Sequence, residues 1–373
     1  MFKIAIAIPT FNRLEKLKIC LQQVEKQYTD DRFEIYCVIS NIASTDGTAE
    51  YLRNLKSEKI KYVIAGESCE AGTYFEINLR NLSRSIPVDI DWVWFHGDDD
   101  ALAQPDAISR IIDLIESSSK KLSVIHACAS TRSRNSGKII KGSLFDICNT
   151  IGYHEMLGWM SSLIVRRAQF VNATMQFTEK AIGCNSTEDF HLKKMSAYPH
   201  SAAFFKTCAS DDAIFIDLPL IGPQDQNQTE ESIIRWQKEA VGERYFYIVD
   251  DILEMYDSNI LIGKLNPVFF RYLNYSLWDR FGQHCITQVL ENGSINAREM
   301  DNLERIGRIG NMFEDTSERK LFLQWYQGLT STLTHYLDTI QKLRLAKNGL
   351  IESFNLLCLP VYPFEVLKPE QAT

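Results

Sequence analysis

Trp92-Val93-Trp94-Phe95-His96-Gly97-Asp98-Asp99-Asp100 is the stretch that decides the fold of this chain. Its four large apolar residues read as a strand buried on both faces, and three consecutive carboxylates follow where that strand must emerge. Like charges packed so closely repel and raise one another's pKa unless something positive sits among them, and a divalent cation is the most economical partner. The triplet therefore reads as a metal site at a strand end. The competing reading is a solvated turn or the N-cap of a helix over 106–115, a place for which Asp106 is the better cap.

Upstream, the apolar run 4–8 closes at Pro9 and reads as a second buried strand. A helix follows over 13–27, with Leu14, Leu17, Leu21 and Val24 at helical spacing. Residues 33–39 are aromatic and β-branched and end at Ser40-Asn41, after which Ser44-Thr45-Asp46-Gly47-Thr48 turns the chain into a helix over 49–55. Asp46 or Thr48 is the expected cap. A strand over 60–64 and a helix over 71–85 complete an alternation that indicates a parallel α/β sheet. In such a sheet, ligands gather beyond the carboxyl ends of the strands. Pro9 to Arg13, Ser40-Asn41 and Asp98 to Asp100 all occupy such ends, so three distant segments should converge on one crevice.

The first hundred or so residues resemble the nucleotide-sugar half of family-two glycosyltransferases of the GT-A fold. The resemblance rests on Ile8-Pro9-Thr10-Phe11-Asn12-Arg13, on Ala43 to Thr48, on Gly72 with residues 78–81, and on Trp94 to Asp100 with Pro105 following. It extends more weakly to about residue 205. It implies a GT-A domain with a mixed central sheet over 1–216 and an inverting transfer from a nucleoside diphosphate sugar, with Mn2+ or Mg2+ as cofactor. Asp98 and Asp100 become the Asp-x-Asp pair when the chain is anchored on Pro105, with Asp98 at ribose or a metal water and Asp100 as the direct metal ligand. Asp99 takes the variable middle position. Hard oxygen ligands suit magnesium or manganese.

The resemblance also places Pro9, Thr10, Asn12 and Asn41 at the base and ribose; Arg13 and Arg80 are candidate phosphate partners, because a guanidinium can hold two oxygens at once, with a plain surface arginine as the other reading of each. Family members commonly carry an aspartate where this chain has Asn41; an amide oxygen can still accept from uracil or thymine, which makes a UDP- or dTDP-sugar the expected donor. Thr187-Glu188-Asp189-Phe190 resembles the motif whose aspartate accepts the proton of the attacking hydroxyl. Asp189 is the expected base and Glu188 the alternate; a helical first turn is the structural reading of the same acids. Residues 158–162 resemble the acceptor-lining segment, in which Trp159 either stacks on a sugar ring or packs in the core. His96 and His191 read as packing residues, with contact to the metal or the acceptor as the lesser reading.

Beyond residue 216, Pro219, Pro223 and the polar run 224–231 mark a boundary, and helical spacing over 233–255, 267–290, 297–312 and 317–345 indicates a mainly helical domain over 217–373. Its aromatic clusters read as packing, with acceptor recognition or a homo-oligomer contact as the lesser reading. Net charge of −8 argues against a nucleic-acid partner. Nine scattered cysteines without paired short spacing read as free thiols of a reducing cytosol. No signal peptide or spanning helix is expected, so the protein should be cytoplasmic, with peripheral contact to the inner face of the cytoplasmic membrane left open through the apolar stretch 350–366.

The expected acceptor is a growing surface glycan, such as capsule, lipopolysaccharide or O-antigen, free or lipid-linked. A non-catalytic glycan-binding or scaffold protein is the alternative. A nucleotidyltransferase should carry a Gly-rich first loop, and Pro9 to Arg13 contains no glycine.

Overall fold

The computed structural model describes residues 1–65, 74–183, 189, 193, 195–196, 198–224, 247–261, 265–270, 288, 292, 294–313 and 316–345. Gly72, Glu188, His191 and the stretch 350–366 lie outside them. Contacts group the chain into two units, Met1–Ile147 with Glu155–Arg244, and Cys148–His154 with Tyr245–Thr373.

The first unit is built on a nine-stranded sheet. Its strands are β1 (Phe2–Thr10), β2 (Phe33–Asn41), β3 (Ile60–Ile64), β4 (Trp92–Phe95), β5 (Asp100–Leu102), β6 (Leu122–Ala129), β7 (Ile139–Ser143), β8 (Leu163–Arg166) and β9 (Asp212–Pro223). They lie in the order β3-β2-β1-β4-β8-β6-β9-β5, with β7 against β9. The first four strands expected from the sequence form its parallel half. Beyond β4 the sheet is mixed: β8 runs antiparallel to both β4 and β6, β9 runs parallel to β6, and β5 and β7 are antiparallel to β9. The expectation of a parallel sheet from the alternation thus holds only for the first half, because β8 enters between β4 and β6 antiparallel to both.

Ile4 to Ile8 and all of β4 are almost wholly removed from water. Each large apolar side chain so buried contributes roughly 1.5–3 kcal/mol, which is why both runs can be unbroken. Pairing of β1 with β4 stops at Ala7 opposite Phe95, two residues before Pro9, which has no N–H to donate. The two strands part there, and the gap they leave is where the polar residues gather.

Helices α1 (Leu14–Glu25), α2 (Thr48–Arg53), α3 (Tyr74–Ser85) and α4 (Ala107–Glu116) follow the strands as expected. Capping differs from the local reading. Asp46 accepts from Leu14 N at 2.8 Å as well as from Thr48 N at 3.1 Å, so one carboxylate serves the N-termini of α1 and α2. Gly47, at φ 91°, occupies the cap position of α2. Asp106 precedes α4, but its carboxylate pairs with Arg110 at 2.8 Å, and Gln27 accepts from Ile108 N at 3.2 Å instead. A buried glutamine 81 positions upstream has displaced the local cap. Along the chain follow α5 (Leu144–Ile151) and α6 (Tyr153–Leu157), whose residues Cys148–His154 group with the second unit, and then α7 (Arg167–Ala181) and α8 (Pro199–Cys208) of the first.

The expected division after residue 216 falls inside β9, which runs on to pair Ile221–Pro223 with β5. In the second unit the described helices are α9 (Tyr247–Asp257), α10 (Ala297–Ile309) and α11 (Thr316–Leu345). Phe269, Phe270, Phe313, Phe322 and Trp325 contact one another in sequence, with ring centroids 5.2 to 5.7 Å apart. These aromatic residues are packing. Asn296 caps α10 by accepting from Glu299 N at 3.0 Å.

Among the described residues, five cysteines are buried and form no disulfide, and no helix is long and apolar enough to cross a membrane.

Candidate active site

Because β1, β2 and β4 run parallel, their carboxyl ends open on one edge, and the start of antiparallel β8 lies there too, with Leu163 opposite Phe95. Segments far apart in the chain therefore meet at the acidic triplet. Thr10 Oγ1 donates to Asp98 Oδ2 at 2.7 Å, while Arg13 Nη1 donates to Asp98 Oδ1 at 3.0 Å and to Asp99 Oδ2 at 2.9 Å. The cation demanded by the charge density is, within the protein itself, this guanidinium. Burial raises the pKa of Asp98, against the pull of Arg13 and Thr10. Burial would lower that of Arg13, but the two carboxylates more than offset it.

Among the described residues, no arginine pairs with Asp100. Its Oδ2 accepts from Trp159 Nε1 at 3.1 Å and from Ser161 Oγ, and burial pushes its pKa up to about 7, with Asp99 and Asp98 adding repulsion. Ser161 is fixed in turn: its hydroxyl accepts from Gly97 N at 2.8 Å and its carbonyl from Trp94 Nε1 at 2.8 Å. Gly97 is closely enclosed: a Cβ there would stand 3.0 Å from Asp99 Oδ1, 3.2 Å from Asp100 Oδ2 and 3.2 Å from Met160 Cε, so these side chains would have to give by a few tenths of an ångström to admit one. Trp159 thus commits its polar edge to Asp100 while its ring lies partly against the core.

Around this centre, Pro9 is buried beside Ser40, and Thr10 pairs in register with Asn41. Asn78 ties the two strand ends together, accepting from Ser40 Oγ at 2.8 Å and donating to Thr10 O at 2.9 Å. Asn41 is 6% exposed, yet its Oδ1 has no hydrogen-bond partner among the described residues. A buried acceptor left open at a crevice is costly and signals a missing donor. Asn12, in left-handed backbone at φ 51°, accepts from Thr45 N at 2.7 Å and so braces the first two loops against each other. Arg80 lies on α3, half-buried. His96 is wholly buried, with Nδ1 2.7 Å from Gly97 O and a pKa lowered by burial to about 4, as befits a packing residue. Asp189 is helical and half-buried, its carbonyl accepting from Lys193 N at 3.0 Å.

Two contributors went unnoticed in the sequence. Ser161 follows Trp159 and Met160 in a segment without any charged signal. Gln224, read as part of a polar boundary, donates through Nε2 to Asp98 O at 2.9 Å and Asp100 O at 3.1 Å.

Among the described residues no group of three or more His, Cys, Asp or Glu converges as a complete metal cage. A pair of buried carboxylates in one turn nevertheless fits a hard divalent cation that takes its remaining ligands from phosphate and water.

A sequence profile described as Glycosyl transferase family 2 matches residues 5–144. A search of curated proteins finds no match. Among solved structures, S. aureus TarS 1-349 in complex with UDP, and the same fragment with UDP-GlcNAc, each align at TM-score 0.51 and 15% identity, over 93% of this chain and 92% of that one. A mannosyltransferase, PcManGT from Pyrobaculum calidifontis in complex with GDP-Man and Mn2+, aligns at TM-score 0.41 and 13% identity, over 93% and 88% of the two chains. The two TarS alignments show the GT-A fold that the sequence resemblance implies.

Proposed function

We propose, from the match of residues 5–144 to the family 2 glycosyltransferase profile, that the protein transfers a sugar from a nucleoside diphosphate sugar to a hydroxyl of a growing surface glycan, with inversion at the anomeric carbon. The observation that carries this reading is the meeting of Thr10, Arg13, Asn41 and the acidic turn at one edge of the sheet, with the buried Asn41 Oδ1 left as an acceptor.

Asn41 Oδ1 suits the N3–H of uracil or thymine, which favours a UDP- or dTDP-sugar; the TarS fragment, a relative in fold, has been crystallised with UDP and with UDP-GlcNAc. Asp98 and Asp100 would hold a divalent Mn2+ or Mg2+ ion, which when bound neutralises charge growing on the diphosphate. Arg13 supplies a further positive group beside it. The acceptor oxygen attacks the anomeric carbon from the face opposite the diphosphate. The bond from that carbon to the diphosphate oxygen breaks with its electron pair going to the leaving group, and the hydroxyl proton passes to the Asp189 carboxylate. One displacement leaves the configuration inverted. Capsule, lipopolysaccharide and O-antigen are the acceptor classes that the resemblance suggests.

Thermal unfolding with UDP, dTDP, GDP and CDP and their sugars, with and without Mn2+, tests the reading, because a ligand of the native state alone raises the melting temperature. Stabilisation that needs both a uridine or thymidine diphosphate and Mn2+ supports it. No stabilisation by any of them leaves a glycan-binding or scaffold protein.

A further inference from the structure

Gln224 stands at the end of β9 and touches the acidic turn only through the backbone. Its own N–H donates to Asp99 O at 3.0 Å, and its side-chain amide donates to Asp98 O at 2.9 Å and Asp100 O at 3.1 Å. All three consecutive carbonyls of the triplet therefore bond to one residue. The same amide reaches Lys16 O in the first turn of α1 at 3.0 Å, so two N–H protons are shared among three oxygens. Those acceptors also fix which way the amide points, since an oxygen in its place would face three oxygens. The remaining atom, Oε1, is buried without a hydrogen-bond partner among the described residues. Gln224 thus holds the turn at a cost to its own satisfaction.

The geometry has a direct consequence for the carboxylates. With its carbonyls drawn toward Gln224, the turn sends Asp98 to Thr10 and Arg13, and Asp100 to Trp159 and Ser161. Pairing of Asp100 with Pro223, the residue before Gln224, closes the turn onto β9. The acidic run would otherwise relax by letting like charges swing apart. We propose that Gln224 is a positioning residue that clamps the acidic turn by its backbone, so that Asp98 and Asp100 are spaced in advance for a divalent cation carrying a nucleoside diphosphate. It touches neither ligand and acts through the two carboxylates. The inference rests on the reading of this turn as the cation and donor site.

Gln224→Met keeps the length and volume but has no donor, whereas Gln224→Lys supplies three N–H protons at similar reach. Free Mn2+ is titrated by electron paramagnetic resonance in the presence of UDP for wild type and both variants, alongside their melting temperatures. Removing an outer support of a metal ligand commonly costs about 10–100-fold in metal affinity. The expected result is a Mn2+ half-saturation raised by about tenfold in Gln224→Met and restored to within about threefold in Gln224→Lys. Steady-state kinetics should follow, with the donor KM raised at limiting Mn2+ and kcat recovered at saturating Mn2+. A folded Gln224→Met that binds Mn2+ within about twofold of wild type overturns the proposal. If that variant does not fold, Gln224→Lys decides: retained affinity supports the clamp, while lost affinity, or failure of both variants to fold, makes Gln224 a general fold requirement and overturns it. Wild type that binds no Mn2+ with UDP, and is stabilised by no nucleoside diphosphate, removes the functional reading itself, and the clamp with it.

Discussion

Trp159 Nε1 donates to Asp100 Oδ2 at 3.1 Å, joining the segment before β8 to the acidic turn 59 residues earlier. An aromatic ring expected to face an acceptor sugar is thus also a support for a carboxylate. Trp159→Phe keeps most of the ring and removes the donor. It should weaken Mn2+ binding several-fold while lowering stability by only about 1 kcal/mol, near the net worth of one hydrogen bond. Isothermal titration with Mn2+ and UDP, beside urea unfolding, separates the two effects. Unchanged metal affinity would return Trp159 to the role of a packing or acceptor residue alone.

The Asp100 carboxyl titrates near pH 7 because of its burial, well above its ordinary value. An acid whose pKa is raised in the folded state binds a proton there that the unfolded chain does not hold. That proton adds stability which is lost as pH rises from about 4 through 7. Asp100→Asn has no such proton to lose. In metal-free buffer its melting temperature should gain on wild type between pH 5 and pH 8, and the gap should shrink when Mn2+ binds wild type. Parallel melting curves across that range would show that Asp100 carries no raised pKa.

Asp46 caps α1 and α2 at once, through Leu14 N and Thr48 N. Asp46→Ala removes both caps and should cost about 1–2 kcal/mol in urea unfolding with an unchanged slope. It should also loosen the loop carrying Arg13, because α1 begins at Leu14. A loss below about 0.5 kcal/mol would mean that solvent replaces the carboxylate at both helices.

Asp189→Asn separates binding from chemistry. The amide cannot take the acceptor proton, so transfer should fall by about 100-fold or more while thermal stabilisation by donor and Mn2+ stays at the wild-type level. Product formation from the donor in a single-turnover assay reads the step directly. Full transfer by this variant would move the base to another carboxylate, with Glu188 first in line.

Much of the parallel half could be read along the chain, because β1 over Ile4 to Ile8 and β4 bury both faces and α1 repeats its apolar residues within one short window. Thr10, Arg13 and Asp98 were legible as strand-end residues for the same reason. Ser161 was not, since an uncharged serine has meaning only once β8 turns back against β4 and brings it to Gly97. Gln27 was hidden likewise: its capping of α4 replaces the local candidate Asp106 through a contact that no window of neighbouring residues contains.

By itself the sequence determined that a buried strand ends in three carboxylates and that Pro9 to Arg13, Ser40 and Asn41 lie at matching ends, because hydrophobic periodicity and strand termini are local properties. Only the tertiary structure decided how that negative charge is held. Arg13 takes Asp98 and Asp99, Trp159 and Ser161 take Asp100, and Gln224 takes the carbonyls of all three. Electrostatic and hydrogen-bond partners act over about 3 Å in space whatever their separation along the chain, and here that separation reaches 126 residues.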